Sequence, residues 1–189
     1  QLWRRRLAWR RRLIGWCCDA IVFNSRSVAE RFEQELGWAA GKFRIIPNGE
    51  CAVGSARGHR EARSIGVVGR VTRAKGADVA LDSFARIAGG FPAARLVYFG
   101  EGPLESELKA RAKVLGLADR VEFRGYVNDR NSMYEEIDLF VQASLRESLS
   151  NSLIEAMARG LPCIATDVGG TREAVIDGDM FVVNGQKTW

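Results

Sequence analysis

The stretch from Ser144 to Gly170 reads SLRESLSNSLIEAMARGLPCIATDVGG, and its alternation of apolar and polar segments predicts one α/β unit. An apolar strand is expected just before it, over Leu139–Gln142. A helix is expected over Ser152–Arg159, with the side chain of Asn151 as its cap. A second buried strand follows over Cys163–Thr166. Parallel sheets built from such units bind ligands at the carboxyl ends of their strands.

Two glutamates in this stretch are candidates for binding a ligand. Glu147 lies in the predicted loop, and Glu155 lies on the predicted helix. The backbone N–H groups at the start of that helix, together with its dipole, favour an anion such as a phosphate. A pair of glutamates at this spacing also arises by chance in many chains. The residues around the pair therefore decide how it is interpreted.

The run ESLSNSLIEAMARGLP, followed by ATDVGGTRE, resembles the signature of glycosyltransferase family 4, the retaining enzymes of the GT-B fold. The resemblance implies an α/β fold with a Rossmann-like parallel sheet and helices on both faces. It also implies that the chain binds a nucleotide-sugar donor. The similarity covers nearly the whole chain, but only part of a complete two-domain enzyme.

A predicted buried strand, Ser64–Gly69, leads into the sequence VGRVTRAKG. Its glycines let the backbone approach a ligand, and its cations can reach phosphate oxygens. A plain surface loop with two cations would look the same. The sequence resembles the first loop of the family's donor domain, which implies that Gly69 lies against the donor. The resemblance further implies that Arg70 and Lys75 bind the diphosphate, whereas Arg73 does not.

Two further loops resemble parts of the same donor domain. The turn GEGP, residues 100–103, matches the second loop of the family, and it is too short to be a dinucleotide-binding fingerprint. Tyr126 and Val127 follow a predicted strand over Val121–Phe123. In the family this last loop lies near the nucleobase, so both residues are expected at the base. Tyr126 as an ordinary surface aromatic is an equally open interpretation.

The resemblance also implies how the leaving diphosphate is stabilised. Arg70 and Lys75 supply positive charge, and the backbone amides near Leu149 and Ser150 supply hydrogen bonds at the helix start. No metal and no other cofactor is therefore expected. Many members have Gly-Phe-Gly where this chain has residues 148–150, Ser-Leu-Ser, and the larger side chains would narrow the space beside the phosphate.

Each glutamate has a separate implied role. Glu147 is expected to hold hydroxyls of the donor sugar, and Glu155 is expected to accept hydrogen bonds from the ribose hydroxyls. Because the family retains anomeric configuration with attack from the side of the leaving phosphate, the two are not assigned as the acid and base of a glycoside hydrolase.

The composition agrees with a globular chain: 189 residues, 47% hydrophobic and 27% charged. The cysteines, Cys17, Cys18, Cys51 and Cys163, form no C-x-x-C pair, and the single histidine, His59, is expected to be solvated. These features argue against a zinc site or a disulfide framework and favour a reduced, cytoplasmic protein. No apolar run in the sequence is long enough to span a membrane.

The formal charge of +5 is concentrated at one end. Six arginines lie in the first twelve residues, and removing them from +5 leaves −1 for the rest of the chain. Leu2–Trp16 is therefore predicted to be a basic amphipathic helix that contacts an anionic membrane surface, placing the protein at the membrane periphery. Alternatively, this helix packs its apolar face on its own domain. Such local basicity indicates no nucleic-acid partner.

Strands and helices alternate along the chain, which divides into three predicted parts. Residues 1–49 form the end of an amino-terminal acceptor domain, residues 50–63 an interdomain linker, and residues 64–189 the donor domain. Since the chain begins with Gln1 and ends just after a strand-like segment, we expect a fragment that binds nucleotide but transfers no sugar alone.

The favoured function is transfer of a sugar from a nucleotide-diphosphate sugar to a glycan or lipid-linked acceptor, with retention, in surface polysaccharide or glycolipid biosynthesis. Two alternatives stay open from the sequence: a sugar-nucleotide epimerase of the GT-B fold, and a non-catalytic module that binds nucleotide sugars.

Overall fold

The structure is a computed structural model, and it describes residues 16–36, 40–50, 62–174 and 180–183. The chain divides into two compact units, Gln1–Gly49 and Glu50–Trp189. Of the predicted helix over Leu2–Trp16, only Trp16 falls in the described part. Most of the predicted linker, including His59, also lies outside the described residues.

The first unit contains a small parallel pair of strands and one helix. Strand β1 (Ile21–Phe23) pairs with β2 (Phe43–Ile45), and helix α1 (Arg26–Leu36) connects them. The ring of Phe23 lies 5.3 Å from that of Phe32 and 5.0 Å from that of Phe43, centroid to centroid. This aromatic cluster holds the helix against the two strands.

The second unit is a six-stranded sheet with every strand pair parallel. Its strands are β3 (Ser64–Val68), β4 (Arg95–Phe99), β5 (Val121–Phe123), β6 (Leu139–Gln142), β7 (Cys163–Thr166) and β8 (Met180–Val183). Its helices are α2 (Ala77–Ile87), α3 (Glu105–Val114), α4 (Arg130–Glu135), α5 (Asn151–Ala158) and α6 (Thr171–Ala174). Short 3₁₀ turns occur at Arg73–Lys75 and Ala118–Arg120.

The sheet buries both of its faces, because alternate residues of each strand point to opposite sides. On one face, Leu96 and Tyr98 of β4 pack in a cluster with Leu81 of α2 and Leu108 of α3. On the other face, Val97 and Phe99 of β4 pack in a second cluster with residues of α4 and α5. The predicted parallel sheet with helices on both faces is confirmed.

The strand order is β5-β4-β3-β6-β7-β8. From β3 the chain moves outward through β4 to β5, and from β6 it moves outward the other way through β7 to β8. The loops after β3 and β6 therefore diverge to opposite sides and leave a crevice between them. In open parallel sheets this reversal point is where ligands bind.

The helix of the Ser144–Gly170 stretch begins one residue earlier than predicted. Asn151 is its first residue, and the cap is Ser150, whose Oγ accepts a hydrogen bond from the Leu153 backbone N–H at 3.4 Å. Ser150 has the extended backbone that a cap requires, with φ −78° and ψ 115°, so the prediction of Asn151 as the cap was wrong. Among the described residues, no helix is long and apolar enough to cross a membrane.

Candidate functional site

A shallow pocket opens at the carboxyl ends of β3 and β6, where the strand order reverses. Five of the predicted site residues line it, although they come from two segments that are far apart in the chain. The lining consists of Val67, Val68, Gly69, Arg70, Lys75, Val141, Gln142, Ser144, Glu147, Ser150 and Ser152. Gln142, Ser144 and Ser152 were not singled out from the sequence, because polar residues beside a strand end carry no distinctive pattern.

The loop that carries Arg70 and Lys75 is held against the end of β6 by a close backbone contact. Gly76 has a φ of 64°, and a Cβ atom there would lie 1.8 Å from the Ala143 carbonyl oxygen. The Leu145 N–H donates to the Ala74 carbonyl at 2.9 Å. Only glycine permits both this backbone conformation and this approach, so the K-G pair of the first loop positions the lysine beside the last motif.

A second glycine contact fixes the loop that carries Glu147. Gly169 has a φ of 57°, and a Cβ atom there would lie 1.7 Å from the Glu147 carbonyl oxygen. Its neighbour Gly170 donates its N–H to the Ser148 carbonyl at 2.5 Å. The two glycines after β7 therefore contact the backbone of the Glu147 loop and hold it in place.

Lys75 and Glu147 form an ion pair inside the pocket. The Lys75 Nζ lies 2.5 Å from the Glu147 Oε2, and the two side chains are 32% and 10% exposed. The Ser144 hydroxyl donates to the same carboxylate oxygen at 3.2 Å. The pair neutralises a carboxylate that would otherwise be poorly solvated.

Arg70 lies beside this pair but is not engaged by it. Within the described ranges its guanidinium has no hydrogen-bond or ion-pair partner, and it is exposed. Arg73, the nearby cation that was not chosen from the sequence, pairs instead with Glu107 at 3.0 Å. Arg70 is thus the cation in this loop that is available to an anion in the pocket.

The start of α5 borders the same pocket. Ser150 lines it and caps the helix, whereas the Leu149 side chain is buried and does not line the pocket. Of the side chains that the sequence predicts to narrow the space beside the phosphate, Ser150 therefore lies at the pocket and Leu149 does not. The helix dipole points its positive end toward the pocket, which adds to the charge of Arg70.

Glu155 does not line the pocket. It is buried on α5, where its Oε1 accepts a hydrogen bond from the Arg130 Nη1 at 2.6 Å. Its Oε2 accepts one from the Tyr134 hydroxyl at 2.9 Å. Sequence reasoning missed both partners, although Arg130 and Tyr134 stand four positions apart on α4 and hence share one face of that helix.

The loops after β3, β4 and β5 contact one another through glycines. A Cβ atom at Gly100 would lie 2.2 Å from the Gly69 carbonyl oxygen, and one at Gly102 would lie 2.3 Å from the Val71 carbonyl oxygen. Gly100 donates its N–H to the Gly125 carbonyl at 2.7 Å. The second and third predicted loops are therefore packed beside the first.

Neither residue predicted at the nucleobase lines the pocket. Tyr126 is 73% exposed, and Val127 is half-buried against the cluster on the α4 and α5 face. A base-binding role for these two residues stays a prediction. Among the described residues there is no group of three or more His, Cys, Asp or Glu that could hold a metal ion.

The chain is similar in sequence to proteins with known names. The chain is 39% identical to the mannosylfructose-phosphate synthase of Agrobacterium fabrum over 125 residues, which cover 61% of this chain and 28% of the relative. It is 30% identical to the lipopolysaccharide core biosynthesis glycosyltransferase LpsE of Rhizobium meliloti over 168 residues, which cover 85% of this chain and 48% of the relative. The chain thus spans less than half the length of these two relatives.

Among solved structures, the chain resembles Anabaena Alr3699/HepE in complex with UDP. The TM-score is 0.75 at 22% identity, and the similarity covers 88% of this chain and 50% of that one. At this identity the likeness concerns the fold, and it confirms the predicted GT-B architecture. The family described as "Glycosyl transferases group 1" matches residues 62–188, a range that includes every loop of the pocket. Because that match extends over most of the chain, the protein belongs to the glycosyl transferases group 1 family.

Proposed function

We propose that this chain is the donor-binding part of a retaining glycosyltransferase of family 4. It binds a nucleotide-diphosphate sugar, from which the sugar passes to a glycan or lipid-linked acceptor in surface polysaccharide or glycolipid biosynthesis. One observation carries the proposal: Arg70, Lys75 and Glu147 line a single pocket at the point where the strand order reverses. Cations and a carboxylate there match a ligand that has both a diphosphate and hydroxyls.

The cations act on the leaving group. When the bond between sugar and phosphate breaks, negative charge develops on the diphosphate. Among the described residues Arg70 has no competing partner, and Lys75, now paired with Glu147, would turn toward a phosphate when the donor binds. Together with the amides near Leu149 and Ser150, they stabilise this charge in a preorganised site. This arrangement needs no metal ion.

The carboxylates act on hydroxyl groups. Glu147 is held by Lys75 and by the Ser144 hydroxyl, yet a carboxylate offers about four acceptor positions, so it retains capacity for hydroxyls of the donor sugar. We assign the ribose hydroxyls to Glu155, although its carboxylate lies outside the pocket lining and is bonded to Arg130 and Tyr134. We place Tyr126 and Val127 near the base, with Gly69 against the phosphates.

The names of similar proteins support this choice of ligand and reaction. The Anabaena structure contains UDP, and the relatives are named for a synthase and for lipopolysaccharide core biosynthesis. These names favour a glycosyltransferase over the epimerase and the non-catalytic module. They also make UDP a reasonable first probe for this chain.

We further propose that the unit Gln1–Gly49 is the end of the acceptor domain and that the enzyme works in the cytoplasm at the membrane periphery. The arginines and tryptophans of residues 2–16 would supply the membrane contact. Sedimentation with anionic and with neutral vesicles tests this point. Equal binding to both kinds of vesicle would favour a helix that packs on its own domain.

The central test is calorimetric titration of the purified chain with UDP, GDP and ADP, with the corresponding free nucleosides and with a UDP-sugar. We expect at least one diphosphate to bind clearly more tightly than its nucleoside, because the pocket offers free cationic charge. Binding of no nucleotide at all, or equal binding of nucleoside and diphosphate, would contradict the proposal.

A further inference from the structure

The buried carboxylate of Glu155 is shared between two helices. Arg130, the first residue of α4, donates to its Oε1 at 2.6 Å, and Tyr134, one turn later, donates to its Oε2 at 2.9 Å. The two donors differ in their surroundings. Arg130 is 63% exposed, whereas Tyr134 is completely buried.

Tyr134 is a fixed partner on the protein side. Its hydroxyl lies 3.1 Å from the Ser152 carbonyl as well as 2.9 Å from the Glu155 carboxylate. Burial raises the pKa of Tyr134, and the nearby Glu155 charge raises it further, so the phenol stays protonated and keeps donating. One oxygen of Glu155 is thereby held in place from the interior.

Arg130 approaches the other oxygen from the solvent side. Within the described ranges, Arg130 donates one hydrogen bond, from Nη1 to Glu155, and the other N–H groups of its guanidinium have no partner. The carboxylate has about four acceptor positions, and these two contacts fill only two of them. The Glu155 side chain is itself only 11% exposed, so its remaining acceptor positions are reached beside the exposed Arg130, where they can accept a pair of adjacent hydroxyl groups.

We propose that Arg130 is a positioning residue: it orients the Glu155 carboxylate for the two ribose hydroxyls of the donor nucleotide. This inference rests on the proposed function, since it assumes that Glu155 serves the ribose. Without Arg130, the Oε1 atom of Glu155 loses its partner and the carboxylate can rotate. The ribose hydroxyls would then bind a carboxylate whose orientation is no longer fixed. Lysine would keep the charge but not the planar geometry, so it would replace arginine only in part.

A purely structural role for Arg130 has less support. The helices α4 and α5 are already joined by Arg159, which follows α5 and donates to the Asn131 side chain of α4 at 2.9 Å. The same guanidinium lies over the Tyr134 ring, 4.9 Å from its centroid. Because the Glu155 side chain is only 11% exposed, the loss of Arg130 takes one partner from a buried carboxylate and costs some stability, while these other contacts keep the two helices joined. The ribose preference is therefore measured alongside thermal unfolding, since a loss of stability alone would not change that preference.

The test compares each ribonucleotide with its counterpart that lacks both ribose hydroxyls. Calorimetry on the full chain would use UDP and 2′,3′-dideoxyuridine diphosphate, with the guanosine and adenosine pairs in parallel. The variants are Arg130→Ala and Arg130→Lys. The matched control is Arg111→Ala, which breaks another partly exposed interhelical pair, that of Arg111 with Asp82 at 2.8 Å, between α3 and α2.

We expect the wild-type chain to prefer the ribonucleotide and Arg130→Ala to lose about tenfold of that preference, which corresponds to about 1.4 kcal/mol. Binding of the dideoxy compound should not change, Arg130→Lys should lie between the two, and Arg111→Ala should match the wild type. Thermal unfolding of each variant confirms that it is folded.

The other outcomes overturn the inference in distinguishable ways. If Arg130→Ala keeps the wild-type preference, or weakens both compounds equally, Arg130 does not act through the ribose hydroxyls, although the proposed function stands. If the wild-type chain binds each ribonucleotide and its dideoxy counterpart equally well, Glu155 does not bind the ribose hydroxyls. A chain that binds none of the three diphosphates refutes the proposed function together with this inference.

Discussion

Lys75 and Glu147, which are 72 positions apart in the chain, meet in the pocket with their Nζ and Oε2 atoms 2.5 Å apart. One is the cation proposed for the diphosphate, and the other is the carboxylate proposed for the sugar. Before a donor binds, therefore, each satisfies the charge of the other. In the proposed complex, Lys75 exchanges this contact for one with a phosphate of the donor.

The ion pair leads to a prediction for Glu147→Gln. The amide attracts Lys75 less strongly, so the lysine is freed for the phosphates. We expect the variant to bind a nucleoside diphosphate at least as tightly as the wild type, while the extra affinity contributed by the sugar of a UDP-sugar is lost. Calorimetry with UDP and with the UDP-sugar measures both. Weaker UDP binding in this variant would contradict the assigned roles.

The cations of the first loop should differ in their effect on phosphate binding. A hydrogen bond to a charged group contributes about 1.5–3 kcal/mol, so Arg70→Ala or Lys75→Ala should weaken nucleoside diphosphate binding by roughly ten- to a hundredfold. Both should affect a free nucleoside far less. Arg73→Ala is the matched control, because Arg73 pairs with Glu107. This substitution should leave the affinity for the nucleoside and for the diphosphate unchanged. Equal losses for nucleoside and diphosphate in Arg70→Ala would show that the phosphate assignment is wrong.

The support of the Glu147 loop can be tested at Gly169. Alanine there adopts an unfavourable left-handed conformation and also places its Cβ 1.7 Å from the Glu147 carbonyl oxygen. Gly116 has a similar φ of 70° but nothing within 4 Å of an added Cβ, so Gly116→Ala isolates the conformational cost, about 1–2 kcal/mol. We expect only Gly169→Ala to weaken UDP-sugar binding beyond its effect on thermal unfolding. Equal donor affinity in the two variants would mean that the contact does not hold the loop.

Arg120 should matter for stability rather than for binding. Its guanidinium donates to three backbone carbonyls after α2, those of Ala88 at 3.0 Å, Phe91 at 2.5 Å and Ala94 at 2.9 Å. Arg120→Ala leaves these acceptors without their donor and should lower the free energy of unfolding by about 2 kcal/mol in urea titration. Arg95→Ala, which breaks only an exposed pair with a glutamate, should change it by about 0.5 kcal/mol. Similar losses for the two variants would contradict this difference.

The local amino-acid sequence determined a large part of the fold. The strands Val121–Phe123, Leu139–Gln142 and Cys163–Thr166 have the bounds that the sequence predicts, because each is a short, mainly apolar run between turn signals. The same local patterns, read through the family resemblance, selected Arg70, Lys75 and Glu147, which line one pocket. Strand ends in a parallel sheet share one edge, so these residues had to lie on the same side.

Tertiary structure alone decided which strands are neighbours and which side chains meet. Strand β3 pairs with β6, although β4 and β5 lie between them in the chain. No local sequence pattern predicts this pairing, which depends on how both faces of the sheet are packed. The contact of Arg130 with Glu155 likewise depends on how α4 packs against α5. The choice of Ser150 over Asn151 as a cap depends on the backbone angle at which the loop enters the helix. Each of these features is an interaction between groups that are distant in the chain, or a competition between neighbouring groups. Such an interaction stabilises the protein only after folding has brought the groups into contact.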